Sequence, residues 1–152
     1  MTDDLHIGRV DAPTWDDLAA IADLDREAFR EDGLSAANLG LLGQAGRLYV
    51  AREGGMVVGQ ALVIGRVGRP EAFLFGLAVT AGRRGRGLGA RLLRAIVTDL
   101  AAAGVASLDL TVEPGNHAAV RLYEKEGFTR TAEVPDLLGP GRPRLIMRRP
   151  VP

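Results

Sequence analysis

The sequence predicts an α/β fold in which helices pack on a mixed sheet, in the order β-α-α-β-β-β-α-β-α-β-β. Three observations indicate this class. Short apolar runs of strand length alternate with longer segments whose apolar residues recur at helical spacing. Glycine, proline and asparagine separate these segments and provide turn chemistry. The chain of 152 residues is also long enough to bury a core, so we expect one domain over residues 1–152.

The first half of the chain is predicted to form a strand, two helices and a hairpin. The stretch LHIGRV alternates weakly, as a strand does, and Pro13 ends it. Thr14 and Asp17 have the spacing of a capping box, and a helix is expected over residues 15–29. Ser35 is placed to cap a second helix, AANLGLLGQAG. The strands RLYVARE and MVVGQALVIGRV follow, and EGG between them is typical of a hairpin turn.

The second half is predicted to alternate strands and helices. The continuous apolar run AFLFGLAV is typical of a strand that is buried on both faces. The helix after it ends near Gly104 and has an apolar stripe. This stripe consists of Leu92, Leu93, Ile96, Val97 and Leu100. Because the helix joins AFLFGLAV to the strand ASLDLTV, we expect these strands to be parallel. A helix, HAAVRLYEKEG, and two strands, FTRTAEV and RLIMRR, complete the order.

The composition argues against several classes of function. The formal net charge is zero, whereas a general binder of nucleic acid or of anionic membranes would carry a basic surplus. The absence of cysteine excludes disulfides and thiolate chemistry, and two distant histidines make no recognisable zinc motif, so no metal is expected. No apolar run approaches the ~18 residues of a membrane span, and the acidic N-terminus does not resemble a signal peptide. We therefore expect a cytoplasmic protein with no nucleic-acid or membrane partner.

The turn between AFLFGLAV and the next helix is rich in glycine and arginine. It contains Gly82, Arg83, Arg84, Gly85, Arg86, Gly87 and Gly89. A helix N-terminus presents unpaired N–H groups and a partial positive charge, and glycine lets a ligand approach the backbone closely. Such a turn suits a phosphate group, and Arg84 and Arg86 would add charge-assisted hydrogen bonds. A merely solvated loop is the alternative.

The glycine spacing does not fit the common nucleotide motifs. A P-loop requires lysine and then serine or threonine where this chain has Leu88 and Gly89. A dinucleotide fingerprint requires G-x-G-x-x-G, whereas Gly85, Gly87 and Gly89 make G-x-G-x-G. The remaining match is R-x-x-G-x-G, from Arg84 to Gly89.

This motif resembles the acetyl-CoA pyrophosphate loop of the GNAT family of N-acetyltransferases. A second segment, NHAAVRLYEKEGF, is similar to the family's pattern N-x-x-A-x-x-L-Y-x-x-x-G-F. The matching residues are Asn116, Ala119, Leu122, Tyr123, Gly127 and Phe128. The resemblance implies the GNAT fold and direct transfer of acetyl from acetyl-CoA to an amine of a small molecule or protein, through a ternary complex. Residues 1–75 match the family only in element order.

The resemblance also implies roles for individual residues. Tyr123 would be the general acid for the departing thiolate. A backbone N–H at a bulge of the central strand would polarise the thioester, and this maps onto Leu77, Ala78 and Val79, after Gly76. The cofactor would also contact Arg84, Gly85, Arg86, Gly87, Leu88, Gly89, Ala90 and Asn116.

No general base is identified. Relatives that acetylate protein N-termini often carry a glutamate on the strand before Asn116, and that position is Thr111 here. The nearby acids Glu71, Asp109 and Glu113 are more simply explained as solvated or structural carboxylates, and a water chain is the alternative to a dedicated base.

The amine acceptor is not identified by the sequence either. Acidic residues on and after the first helix would border the acceptor site in this family, where they could attract a cationic amine. They are Asp23, Asp25, Glu27, Glu31 and Asp32. A solvated helix face is the simpler interpretation. Two other functions stay open, a catalytically silent acyl-CoA-binding domain and a dinucleotide-binding oxidoreductase fragment. Dimers are common among relatives, so a homodimer formed through the C-terminal strands is also a candidate state.

Overall fold

A computed structural model describes residues 4–152, and residues 1–3 of the acidic N-terminus lie outside it. The described part follows the predicted element order, with two additional short 3-10 turns at Arg30–Asp32 and Ala81–Arg83. The helices are α1 (Trp15–Phe29), α2 (Ala36–Ala45), α3 (Leu88–Ala102) and α4 (His117–Lys125). The strands are β1 (Leu5–Arg9), β2 (Gly46–Glu53), β3 (Met56–Gly65), β4 (Glu71–Val79), β5 (Ser107–Val112), β6 (Thr129–Val134) and β7 (Arg144–Pro150).

The strands form one mixed sheet in the order β1-β2-β3-β4-β5-β7-β6. Strands β4 and β5 are parallel, as predicted, because α3 carries the chain back across the sheet between them. The other neighbouring pairs are antiparallel. This parallel pair in the middle of the sheet is where the site described below is built.

The predicted helix caps are present. Thr14 Oγ1 accepts a hydrogen bond from Asp17 N, and Asp17 Oδ2 accepts one from Thr14 N, both at 3.1 Å. Ser35 Oγ accepts from Asn38 N at 3.1 Å and so caps α2. These bonds satisfy amides that a helix start leaves without partners, which is why the caps locate the beginnings of α1 and α2.

Helices cover the two faces of the sheet unequally. The predicted apolar stripe of α3 is buried against one face, where α4 also packs with Val120 and Tyr123. On the other face α1 and α2 pack over one side of the sheet, where Leu18, Ile21 and Leu39 join a second core. The contacts of α1 and α2 are with β2, β3 and β4. We call these the α3/α4 face and the α1/α2 face.

The prediction that β4 is buried on both faces is wrong. Ala72 and Leu74 are buried on the α3/α4 face, but Phe75 is 46% exposed and Phe73 is only half-buried. The two rings contact each other edge-to-face, with centroids 6.4 Å apart. A continuous apolar run does not distinguish a doubly covered strand from one whose second face carries aromatic side chains beside an opening.

Candidate active site

The parallel strands β4 and β5 separate partway along their length. They are paired from Glu71–Leu74 on β4 with Ser107–Leu110 on β5. Beyond that point β4 continues to Val79 beside β3, while Thr111 and Val112 of β5 pair only with β7. The sheet therefore has an opening between the C-terminal ends of its two central strands. Ligands of α/β sheets characteristically bind at such ends.

A β-bulge lies where the two strands begin to separate. Leu62 of β3 pairs with Gly76, whereas the next residue, Val63, pairs with Leu74, so Phe75 is the extra residue. The bulge was expected at Leu77, Ala78 and Val79, and it lies two residues earlier. A Cβ on Gly76 would lie 3.4 Å from Cε2 of Phe29, an ordinary contact distance, so α1 packs against the strand at this position.

The backbone after the bulge alternates between the sheet and the opening. Thr80 N donates to Val58 O at 2.9 Å, so the alternation of an antiparallel ladder directs the N–H and C=O of Leu77 and Val79 away from β3. The same alternation turns the amide of Ala78 toward Gln60 of β3. Of the three strand residues predicted to contact the cofactor, two therefore have backbone groups facing the opening, and Ala78 does not.

The glycine-rich turn leads directly into the N-terminus of α3. Gly85 (φ 76°) and Gly87 (φ 79°) are both in the left-handed region that favours glycine, and Gly87 is the N-cap. Gly87 supplies no side-chain cap, and the first helical bond runs from Arg91 N to Gly87 O. The amides of Leu88, Gly89 and Ala90 therefore have no acceptor within the helix. This arrangement can bind an anion through the backbone.

The three arginines of the turn have different surroundings. Arg83 forms an ion pair with Glu53. Arg84 is half-exposed, donates from Nε to Val79 O at 3.2 Å, and has Nη2 3.6 Å from Glu27 Oε1. Arg86 is exposed and forms no ion pair with any residue from 4 to 152. Arg84 is thus held at the end of β4, while Arg86 can bind an external anion.

Tyr123 lies on the buried face of α4, as its predicted helix position requires. Its side chain is 9% exposed and contacts Phe128 edge-to-face, with ring centroids 5.7 Å apart. Burial raises the pKa of Tyr123 to about 12, so the phenol keeps its proton at neutral pH. Its hydroxyl has no hydrogen-bond partner within residues 4–152 and can donate to a ligand.

Close packing brings the two sequence motifs together. A Cβ on Gly89 would lie 3.2 Å from Leu122 Cδ2 and 3.9 Å from Leu77 Cδ2. The start of α3 therefore meets both the end of β4 and helix α4. Asn116 is the N-cap of α4, and its Oδ1 accepts from Ala119 N at 3.2 Å. This cap uses the side-chain oxygen of Asn116 but leaves its amide exposed.

Thr111 is bound by an arginine that the sequence analysis did not identify. Arg144 donates from Nε to Thr111 Oγ1 at 3.2 Å and from Nη2 to Thr111 O at 3.1 Å. Burial lowers the pKa of Arg144, and Glu113, Tyr123 and Asp32 are among the groups that act on it electrostatically. The alternation in RLIMRR was the available signal, because it places Arg144 and Arg148 on one face of β7.

The acids expected beside the acceptor site mostly stabilise the fold. Asp25 is buried, and its oxygens accept from Leu34 N and Gln60 Nε2, both at 2.6 Å. Burial raises the pKa of Asp25 in spite of these bonds. Glu27 accepts from Ala81 N at 2.9 Å, and Asp23 and Asp32 form ion pairs with arginines. Glu31 is exposed. This arrangement does not support the expectation that these acids attract a cationic amine.

The acids considered near the base position are engaged as well. Asp109 is buried between Arg148 and Arg66, with contacts of 2.5 to 2.9 Å. Burial alone would raise the pKa of Asp109, but these two guanidinium groups outweigh it and lower the pKa. Glu71 binds Arg69 at 2.9 Å. Neither carboxylate is poised to accept a proton near neutral pH, and Glu113 is exposed.

The described residues offer neither a candidate metal site nor a candidate membrane span. Residues 4–152 contain no group of three or more histidine, aspartate and glutamate side chains that could hold a metal ion. None of the helices in the same part of the chain has the length and apolarity needed to cross a membrane.

Comparison with known proteins identifies the family. The family model described as the acetyltransferase (GNAT) family matches residues 12–128. This chain belongs to the GNAT family. It is 35% identical over 136 residues to the N-alpha-acetyltransferase RimI of Mycobacterium tuberculosis, a match that covers 86% of this chain and 84% of that protein. It is also 43% identical over 68 residues to the [ribosomal protein bS18]-alanine N-acetyltransferase of Escherichia coli K12, covering 45% of this chain and 46% of that protein.

Solved GNAT structures have the same fold. The ribosomal-protein-S18-alanine N-acetyltransferase from Escherichia coli superposes with a TM-score of 0.81 at 25% identity, covering 97% of this chain and 94% of that chain. An aminoglycoside 6'-N-acetyltransferase, solved with coenzyme A, gives a TM-score of 0.83 at 19% identity, with 97% of each chain covered. The second likeness concerns the fold alone.

These findings confirm the predicted fold and activity. This GNAT protein is an N-acetyltransferase, an enzyme that transfers an acetyl group to an amine of a protein or small molecule. The family match and the strand order exclude the dinucleotide-binding alternative. The relatives are named as acetyltransferases, which supports catalysis rather than silent binding.

Proposed function

We propose that this GNAT enzyme uses acetyl-CoA to acetylate an α-amine. The opening between β4 and β5 carries this proposal, because it lies between free amides at the start of α3 and the hydroxyl-bearing helix α4. The acetyl donor supplies a thioester. The residues around the opening would position that thioester and stabilise the leaving sulfur.

The cofactor's pyrophosphate is proposed to bind at the N-terminus of α3. The uncapped amides of that turn and the free guanidinium of Arg86 support this placement. Arg84 would add charge from the end of β4, where it binds Val79 O. The complete proposed cofactor set is Leu77, Ala78, Val79, Arg84, Gly85, Arg86, Gly87, Leu88, Gly89, Ala90 and Asn116. Ala78 is the weakest member, because its amide faces β3.

The chemical step is proposed to depend on Leu77 and Tyr123. The amide of Leu77 faces the opening and would polarise the thioester carbonyl. The acceptor nitrogen bonds to the acetyl carbon, the carbon–sulfur bond breaks, and the amine proton leaves to water. The protonated phenol of Tyr123 donates to the departing sulfur, which leaves as a thiol, and the phenol regains a proton from solvent. The raised pKa of Tyr123 makes hydrogen bonding the larger part of its role.

The proposed acceptor is an α-amine rather than a lysine side chain. An α-amine has a pKa near 8 and is substantially neutral at physiological pH, whereas a lysine amine, near 10.4, depends on a strong base. The acids near the opening are engaged by arginines, and Thr111 stands at the position of the base in some relatives. Relatives named as N-alpha- and alanine N-acetyltransferases support the same acceptor class.

We further propose that residues 1–152 form one acetyltransferase domain, since the seven described strands share one sheet. The homodimer and the cytoplasmic location stay predictions.

The first experiment is a thermal shift with acetyl-CoA, CoA, NADH and ATP, followed by a thiol-release assay with two peptides. One peptide has a free alanine N-terminus, and the other has a blocked N-terminus and an internal lysine. Of the four compounds, we expect only acetyl-CoA and CoA to raise the Tm. We expect thiol to be released faster with the α-amine peptide than with the lysine peptide. No shift with either CoA at millimolar concentration would contradict the cofactor assignment. Faster acetylation of the lysine peptide would contradict the acceptor class.

A further inference from the structure

Arg144 is a partly buried cation without a carboxylate partner. It donates hydrogen bonds to two oxygens of Thr111, namely the hydroxyl oxygen and the carbonyl oxygen. No carboxylate of residues 4–152 lies within 4.0 Å of its guanidinium. Nη1 has no partner among the same residues, so at least two of its N–H groups remain free. Burying a charge without a counter-ion is unfavourable, which is consistent with its lowered pKa.

Several other arginines of the sheet, its helices and the turn after β3 are bound differently. Carboxylates lie within 3.0 Å of Arg47, Arg52, Arg66, Arg69, Arg94 and Arg148. Arg149 also binds only carbonyl oxygens, those of Glu126 and Pro150, but it lies on the α3/α4 face near the end of α4. Arg144 therefore stands out by both its surroundings and its location.

Arg144 lies beside the opening on the α1/α2 face. Leu110 and Val112 point into the α3/α4 core, so Thr111 between them points to the opposite face, together with Arg144. Thr111 is also the first residue of β5 beyond the last pair with β4. Tyr123, from the other face, is among the groups close enough to act on Arg144 electrostatically.

The other charges around this position leave Arg144 available. Asp32 is paired with Arg142, and Asp109 with Arg66 and Arg148. Glu113 is exposed and makes no ion pair with Arg144. An anion that arrived with the acceptor would meet an unpaired guanidinium already oriented by two hydrogen bonds.

We propose that Arg144 binds a carboxylate of the acceptor and makes this enzyme selective for amines that carry one. The inference rests on the proposed function, because it assumes that the acceptor amine enters the same opening. The carboxylate belongs either to a free α-amino acid or to an acidic first residue of a peptide. In both cases it lies within a few bonds of the attacking nitrogen.

The test compares matched acceptors that differ in one charge. Alanine is compared with alaninamide, and aspartyl-alaninamide with asparaginyl-alaninamide, by kcat/KM in wild type, Arg144→Met and Arg144→Lys. Arg149→Met is the control from the same strand. Comparing each ratio between variants cancels differences in the basicity of the amines. The two pairs also separate the two sources of the carboxylate.

We expect Arg144→Met to lower the carboxylate-to-amide ratio about 10- to 100-fold in at least one pair. Arg144→Lys should restore part of it and Arg149→Met should leave it unchanged. The proposal would be overturned if Arg144→Met still gained Tm with CoA but kept the wild-type carboxylate-to-amide ratio of kcat/KM. The proposal would also be overturned if Arg144→Met lost activity only with succinyl-CoA and a neutral amine. Arg144 would then bind the carboxylate of the acyl group, not one of the acceptor.

A binding measurement separates this inference from the proposed function. N-acetylalanine and N-acetylalaninamide, and the matched acetylated peptides, are titrated in the presence of CoA. Tighter binding of a carboxylate product that depends on Arg144 would support the inference even without turnover. If neutral amines are acetylated well and carboxylate products bind no better than amides, the inference fails and the proposed function stands.

Discussion

The two faces of the sheet differ in what their residues contribute to the site. On the α3/α4 face most features are backbone ones, namely left-handed glycines, an uncapped helix start and a strand end with free amides, and Tyr123 is the one side chain proposed to act in the reaction. On the α1/α2 face they are side chains from distant segments, with Arg144 bound to Thr111 and Asp109 between two arginines. The first set suits a ligand common to a whole family. The second can change with a few substitutions, so it suits the variable acceptor.

The largest effect is expected at the helix that reaches the opening from the α3/α4 face. Tyr123→Phe keeps the ring packed on Phe128 and removes only the hydroxyl. We expect kcat to fall about 100-fold, within the usual range for a lost general acid, while CoA still raises the Tm. Initial rates by thiol release and a CoA titration check this. Undiminished turnover would show that the sulfur is protonated by another group.

Two glycines of the turn differ in backbone conformation but not in the space around them. A Cβ on Gly82 or on Gly87 would meet no atom within 4 Å, but only Gly87 has a positive φ, of 79°. Gly87→Val should weaken CoA binding about 10-fold or more, since the branched side chain would disfavour the left-handed N-cap. Gly82→Val is the matched control and should bind CoA normally. If Gly82→Val and Gly87→Val weakened CoA binding equally, the turn would contribute only open space for the ligand and not the left-handed conformation of Gly87.

The cluster of Asp109 with Arg66 and Arg148 should make stability depend on pH. The arginines lower the pKa of Asp109 in the folded state, so its contribution to stability is present above the unfolded pKa of about 3.9. That contribution is lost as the pH falls through the lower folded pKa. Asp109→Asn should reduce the free energy of unfolding by about 2–3 kcal/mol at pH 7, and by less in acid.

Denaturant titrations at neutral and acidic pH measure this difference. Asp23→Asn is the control, because Asp23 belongs to an exposed pair and should change stability by about 0.5 kcal/mol or less. A loss for Asp109→Asn that does not shrink on acidification would show that packing, rather than charge, holds this cluster.

The smallest effect concerns the arginines of the turn. Arg86→Ala should weaken CoA binding about 3- to 10-fold, and more at low ionic strength, since its charge has no internal partner. Arg84→Ala should have a similar or smaller effect. Arg83→Ala should have little, because Glu53 already engages that guanidinium. Isothermal titrations at two salt concentrations compare the three. If Arg83→Ala weakened CoA binding the most, the assignment of Arg84 and Arg86 as the arginines that bind the cofactor would be wrong.

Local patterns predicted the parts of the site that depend on neighbouring residues. The caps at Thr14 and Ser35 and the stripe of α3 followed from spacing alone, because short-range hydrogen bonds and helical periodicity decide them. The turn from Arg84 to Gly89 was recognisable because glycine is required where φ is positive. The bulge was misplaced by two residues, since the register between β3 and β4 depends on pairing with a separate strand.

By itself, the sequence determined the element order, the family and the glycine-rich turn before α3, because these depend on periodicity and on backbone conformations that particular residues favour. Only the tertiary structure decided which strands separate, that Phe75 is exposed beside the opening, and that Arg144 binds Thr111 across 33 residues of sequence. Those features depend on which distant side chains share one face of the sheet. That sharing is set by strand register and by where the helices leave the sheet uncovered.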